Sequence, residues 1–217
     1  APDEAIVSDN DENVKHLHWI AKKYPLDILS KNVWNRKILP FKIKKQRIPN
    51  IEKLKKVSPG KQFRGKLLNF QKEGLDFLLK SSGNALLADE MGLGKTVQSL
   101  AYIATEKKSL PVLVIAPLVT LTNWNNEIKK FMKKKSSNGK IMEKSSPVTT
   151  LIRTGRSQEL DKNCDFYIIN YDLLHKRFND LSKLPFKLII CDEVQHLRSK
   201  TTQKYAAVKK LAALKSI

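Results

Sequence analysis

The sequence predicts an α/β fold, a mostly parallel sheet flanked by helices, and three observations predict it. Apolar runs of strand length recur at Pro111–Pro117, Val148–Arg153, Cys164–Tyr171 and Lys187–Cys191. Helix-period segments alternate with them, and strands alternating with helices close into a parallel sheet with right-handed crossovers. The stretch Asn84-Ala-Leu-Leu-Ala-Asp-Glu-Met-Gly-Leu-Gly-Lys-Thr-Val-Gln-Ser-Leu100 runs apolar to Asp89, turns through Gly92 and Gly94, and restarts as an amphipathic helix. That order is strand, phosphate loop, helix.

Composition narrows the class. The chain has 217 residues and 41% hydrophobic content, enough for one large core with an appendage. Its 41 Lys+Arg against 21 Asp+Glu give a formal charge of +20, which points to a polyanionic partner, nucleic acid first. Two cysteines, Cys164 and Cys191, make no disulfide framework, the N-terminus opens acidic rather than as a leader, and no apolar run reaches bilayer length. The expectation is a soluble intracellular protein.

In chain order, residues 1–12 read as an acidic tail and Asn13–Tyr24 as an amphipathic helix stopped by Pro25. His16 and His18 stand two apart on that helix, so they point to different faces and are not expected to share a metal. Residues 25–60 mix apolar pairs with prolines and the basic groups Lys42–Arg47 and Lys53–Lys56. Pro59-Gly60 is a turn signal and the expected boundary, giving an extension at 1–60 and a main lobe at 61–217.

Within the lobe, Phe63–Leu78 leads into a helix with Leu75, Leu78 and Leu79 inward and Gln71 near its start. After the phosphate loop, Val97, Leu100, Ala101 and Ala104 form the apolar stripe that docks its helix. The strand at Pro111–Pro117 ends in a loop with Thr120, Thr122 and Asn123, and such loops carry ligands in open sheets. Trp124, Ile128, Phe131 and Met132 make the core stripe of the next helix, with Lys129, Lys130 and Lys133–Lys135 elsewhere on it. Ser136–Pro147 reads as a polar connector, Asp172–Phe178 as a helix after the Cys164–Tyr171 strand, and Thr201–Leu214 as a last helix with Val208, Leu211 and Ala212 inward.

The chemistry is legible from residue types. A Gly-rich turn before a helix aims backbone N–H groups and the positive end of the dipole at one point, where phosphate oxygens can sit. Lys95 would reach the β/γ-phosphates, and Thr96 supplies the hydroxyl that commonly holds Mg²⁺. The first glycine of the generic G-x-x-x-x-G-K-[ST] pattern is replaced here by Asp89. A phosphate loop also needs a carboxylate at the end of another buried strand, and Asp192 lies 97 residues after Lys95 at the end of Lys187-Leu-Ile-Ile-Cys. Gln71, about two dozen residues upstream, has an amide able to read an adenine edge in two-point fashion.

With these residues in hand, the chain resembles the superfamily 2 helicase-like ATPases, and among them the switch/sucrose-non-fermenting (Swi/Snf) family of DNA translocases. Asn69-Phe-Gln-Lys-Glu-Gly74 is similar to the adenine-reading Q motif, Leu87–Gln98 to motif I, Ala116–Trp124 to motif Ia and Asp192-Glu-Val-Gln195 to motif II. Asn170-Tyr-Asp-Leu-Leu174 is similar to the block preceding motif II, so the likeness spans about 61–217. The family accepts an acid at Asp89; Val194 stands where it more often carries Ala or Gly.

The resemblance implies a RecA-like lobe that binds ATP and Mg²⁺. It assigns Gln71 to adenine, the loop Asp89, Glu90, Met91, Gly92, Leu93, Gly94, Lys95 and Thr96 to the phosphates, and Thr96 with Asp192 to Mg²⁺. Glu193 would orient or deprotonate water, Gln195 holds the coupling position, and Thr120 and Thr122 with basic residues would meet duplex DNA. The family continues with motif III and a second lobe bearing an arginine finger, so the expectation is an incomplete first lobe, nearly inactive alone, in a nuclear or nucleoid protein. Two other readings stand: a different superfamily 2 helicase or restriction-type translocase, and a non-catalytic basic module that binds nucleic acid.

Overall fold

The computed structural model describes residues 53–106, 108–136, 138–156 and 159–215. The Asn13–Tyr24 helix, His16, His18 and the Lys42–Arg47 group lie outside the described residues. Leu54–Ile217 forms a unit of its own, beginning a few residues before the Pro59-Gly60 turn. Its elements in chain order are helix α1 (Asn69–Lys80), helix α2 (Lys95–Thr105), strand β1 (Val112–Ala116), helix α3 (Leu121–Phe131), the two-residue strands β2 (Lys134–Lys135) and β3 (Ile141–Met142), strands β4 (Thr149–Ile152) and β5 (Phe166–Asn170), helix α4 (Phe178–Ser182), strand β6 (Leu188–Cys191) and helix α5 (Gln203–Lys215).

Four strands pair in parallel in the order β4-β5-β1-β6. Ile115 faces Ile169 on one side and Cys191 on the other. Because successive side chains leave a strand on opposite faces, the apolar runs of β1 and β5 feed two cores. Val112, Val114, Ala116, Phe166 and Ile168 pack with Leu75 of α1, Leu100 of α2, and Trp124 and Ile128 of α3. Leu113, Ile115, Tyr167 and Ile169 pack on the other face with Leu181 of α4 and Ala207 and Leu211 of α5. Each such Leu or Ile contributes about 1.5–3 kcal/mol on full burial. Every residue of β1 and β5 is buried, whereas β4 and β6 are only partly covered, as edge strands must be.

Three expectations fail, each for a physical reason. Asn84–Ala88 forms no strand, and Leu86 is 65% exposed. A strand persists only where a neighbour takes up its N–H and C=O groups; here the segment faces β6 across an open cleft of about 790 Å³. The supposed connector at Ser136–Pro147 instead supplies β3, which pairs antiparallel with β2. Asp172–Phe178 is not a helix: a 3-10 turn at Tyr171–Leu173 comes first, capped where the Leu173 N–H donates to Asn170 Oδ1 at 3.1 Å, and α4 starts only at Phe178. Arg177, fully buried, anchors that start through Asp180 Oδ2 at 2.7 Å and the carbonyls of Thr154 and Arg156.

Candidate functional site

The cleft beside β6 gathers the residues the sequence singled out. From one side it is lined by Asp89, Glu90, Met91, Lys95 and Thr96, and from the other by Asp192, Glu193 and Gln195. Gln71, Gly92, Leu93 and Gly94 are not in that lining, although they shape the loop that is.

Asp192 follows β6 directly. Its N–H donates to the Ile115 carbonyl at 2.8 Å, carrying the ladder to β1 one residue further. Its carbonyl accepts from the Tyr171 hydroxyl at 2.6 Å, and the Tyr171 ring stacks on His196 with centroids 5.2 Å apart. Its Oδ2 accepts from the Trp124 indole N–H at 2.8 Å. Burial pushes the Tyr171 hydroxyl well above its ordinary range, so it remains a donor at neutral pH. Burial likewise pushes the neighbouring Cys191 thiol up to about 11, which makes it a poor nucleophile.

Glu193 then adopts φ 52°, a region that residues with a Cβ seldom occupy, and the chain turns into a 3-10 turn at Val194–Leu197. The turn lets two successive carboxylates, Asp192 and Glu193, reach the same cleft. Gln195 Nε2 donates to Glu193 Oε2.

The facing loop depends on glycine twice: Gly92 has φ 85° and Gly94 φ 76°. A Cβ on Gly94 would also lie 2.6 Å from Gln71 Nε2. Gly94 caps α2 without a side-chain cap, and the first turn of α2 carries no acid, so its leading N–H groups and dipole suit an anion. Lys95 Nζ instead donates to the Asp89 and Glu90 carbonyls at 2.7 and 3.0 Å. Asp89 Oδ2 accepts from Gln98 Nε2 at 2.8 Å, tying the loop's first residue to α2.

Gln71 is buried, and its amide is partly spent on its own chain. Oε1 accepts from the Leu68 N–H at 3.0 Å and Nε2 donates to the Leu93 carbonyl at 3.3 Å. One amide hydrogen and one lone pair remain.

Thr120 and Thr122 lie away from the cleft, at the start of α3. Thr120 Oγ1 donates to the Pro117 carbonyl at 3.0 Å, and Thr122 is exposed and accepts from Arg153 Nη2 at 3.0 Å. Arg153 follows β4, and sequence reasoning had given it no role. Trp124 was read as part of a core stripe and of a motif block, and Tyr171 as the end of a strand and part of a motif block; a packing stripe does not disclose which polar atom a core ring will meet.

Residues 70–217 match the family model described as the SNF2-related domain. The chain is 32% identical over 154 residues to the SWI/SNF-related matrix-associated actin-dependent regulator of chromatin subfamily A-like protein 1 of Xenopus laevis, covering 70% of this chain and 15% of that protein. It is 37% identical over 148 residues to the SWI/SNF chromatin-remodeling complex subunit snf22 of Schizosaccharomyces pombe, covering 64% and 8%. Among solved structures, the Sulfolobus solfataricus SWI2/SNF2 ATPase core in complex with dsDNA superimposes with a TM-score of 0.58 at 27% identity, covering 72% of this chain and 32% of that one. The chain therefore spans under a fifth of these curated relatives.

Proposed function

This chain belongs to the SNF2-related domain family, and on that premise we propose that it is the ATP-binding lobe of a DNA-dependent ATPase that moves along duplex DNA. Residues 61–217 form the RecA-like lobe, residues 1–60 are an extension of it, and a second lobe of the same protein closes the cleft. One observation carries the reading: Lys95 and Thr96 line the same cleft as Asp192 and Glu193, although the two pairs are far apart in sequence.

The donor set suits a magnesium nucleotide. Among the described residues no cluster of three or more His, Cys, Asp or Glu side chains is placed to hold a metal. A metal resting on Thr96 and Asp192 would thus take its remaining ligands from phosphate and water, as Mg²⁺ does. When bound, Mg²⁺ neutralises charge on the β- and γ-phosphates. The chain's own residues do the rest. Lys95 leaves the carbonyls of Asp89 and Glu90 for phosphate oxygens, while the N–H groups of Gly92, Gly94 and Thr96 cradle them. Glu193 orients water and accepts its proton, Gln195 holds the Glu193 carboxylate, and Gln71 reads adenine with the hydrogen and lone pair that Leu68 and Leu93 leave free. Thr120, Thr122 and Arg153 meet DNA phosphates, and the protein works where DNA is, in nucleus or nucleoid.

The test is a titration of the chain with a fluorescent ATP analogue in Mg²⁺. Measurable binding that Lys95→Ala removes is expected; equal binding by that variant would refute the assignment.

A further inference from the structure

Trp124 lies in the first turn of α3 and is 2% exposed, packed with Ile128 in the core between α3 and the sheet. Packing alone would explain an aromatic ring there. It does not explain the polar end of the ring. A buried indole N–H needs one acceptor, and this one takes Asp192 Oδ2 at 2.8 Å, the carboxylate at the end of β6 and not a carbonyl of the sheet it packs on.

The helix that carries the indole begins at the loop assigned to DNA. A 3-10 turn at Leu118–Thr120 runs directly into α3 at Leu121, so 118–131 is one continuous helical unit. Its first turn is pinned by the Thr120 hydroxyl on the Pro117 carbonyl and by Arg153 on Thr122. Leu118 and Val119 in the leading turn are 63% and 87% exposed, open to a ligand. Trp124 is two residues beyond Thr122, on the same rigid turn.

We propose that Trp124 is a positioning residue that fixes the Asp192 carboxylate and transmits to it the state of the loop at 118–122. The inference rests on the assignment of Asp192 to the metal. A phosphate drawn to Thr122 and Arg153 shifts the first turn of α3 against the sheet. The Asp192 backbone cannot follow, since Ile115 and Tyr171 hold its N–H and carbonyl. The displacement falls on the indole–carboxylate bond, which restrains rotation of that carboxylate. Contact with DNA and readiness to bind metal are thereby linked through one hydrogen bond.

The test uses the full chain and the fluorescent ATP analogue, titrated in EDTA and in Mg²⁺. Trp124→Phe keeps a ring and deletes the donor; a chain with 3-benzothienylalanine at this position keeps the bicyclic volume and also lacks the N–H, and serves if Phe fails to fold. Affinity in EDTA should hold within about two-fold, while the tightening by Mg²⁺ falls about 10-fold, the scale for groups that orient a metal ligand. An unchanged Mg²⁺ effect, or equal losses with and without the metal, overturns the proposal. In a Trp19→Phe, Trp34→Phe background Trp124 is the sole tryptophan. Its emission should shift when a short DNA duplex is added without nucleotide, and no shift overturns the link to the loop. If Lys95→Ala bound nucleotide as the parent does, the functional reading itself would fall, a result separable from all of these.

Discussion

Asp192 and the loop from Asn84 to Met91 supply facing walls of one cleft, yet they are held in opposite ways. Three elements meet at Asp192, through the Ile115 carbonyl, the Tyr171 hydroxyl and the Trp124 indole. The loop opposite has no strand to lean on, Met91 is 87% exposed, and Lys95 bonds to carbonyls of the loop itself. The carboxylate wall is preorganised by a folded sheet, which costs nothing at the moment of binding. If this loop binds phosphate as proposed, it takes its working shape from the ligand, and part of the binding energy goes into ordering it.

Glu193→Gln should have the largest effect, because it leaves both walls standing and removes the proposed proton acceptor. In the full-length protein, hydrolysis should fall about 10²–10⁴-fold, with affinity for the nucleotide analogue retained. A matching loss of affinity would move Glu193 into the metal shell and make the carboxylate wall a two-ligand site.

Lys95→Ala acts on the other wall. Losing a charge-assisted contact of about 3 kcal/mol lowers nucleotide affinity on the order of 100-fold. The melting temperature should hardly move, since among the described residues the ammonium bonds to carbonyls of its own loop. A clear drop in melting temperature would show that the loop is part of the folded core and erase the contrast between the walls.

Asp76 provides the converse, stability without binding. It lies on α1 outside the cleft lining, with Oδ2 accepting from Lys80 Nζ at 2.6 Å and the Lys55 N–H at 2.7 Å. Burial alone would raise its carboxyl, but the Lys80 and Lys55 hydrogen bonds and charges outweigh it and hold the pKa below the usual value. A depressed folded pKa gives stability that is complete above the ordinary carboxylate value of about 3.9 and lost as pH falls through the folded value. Asp76→Asn should therefore cost about 1.5 kcal/mol in urea melts at pH 7, the low end for a charged hydrogen bond because Lys80 is partly exposed. That difference should shrink toward pH 3, with nucleotide affinity unchanged. A gap that widened in acid would invert the sign and place the charge elsewhere.

The same contrast explains what the sequence disclosed. Val112–Ala116 and Phe166–Asn170 are apolar on both faces and end in buried strands, so local pattern suffices for them. Asn84–Ala88 is apolar too, but a strand is completed by a neighbour on its edge, a non-local fact absent from its own residues. Lys95, Thr96, Asp192 and Glu193 announced themselves because phosphate and metal chemistry constrains residue type and spacing together. Trp124 did not, since its ring obeys the helix period and the partner of its N–H sits on β6, far along the chain. Gln71 shows the intermediate case: an amide suited to a base edge was visible, but its bonds to Leu68 and Leu93 were not.

The smallest effect belongs to Arg153, whose guanidinium already touches Thr122 at the edge of the proposed DNA surface. If that group meets one phosphate, Arg153→Ala removes one released counterion, and the slope of log K against log salt should flatten by about 0.9. Binding should weaken evenly across unrelated duplex sequences, because a phosphate contact carries no base information. Thr122→Val, which keeps the side-chain shape but cannot accept from Arg153, should weaken binding less and leave the slope nearly unchanged, since no cation is lost. A slope unaltered by Arg153→Ala would confine this arginine to bracing α3 against β4. The DNA surface would then have to be sought on the lysines of α3, Lys129 and Lys130, which are exposed at its far end.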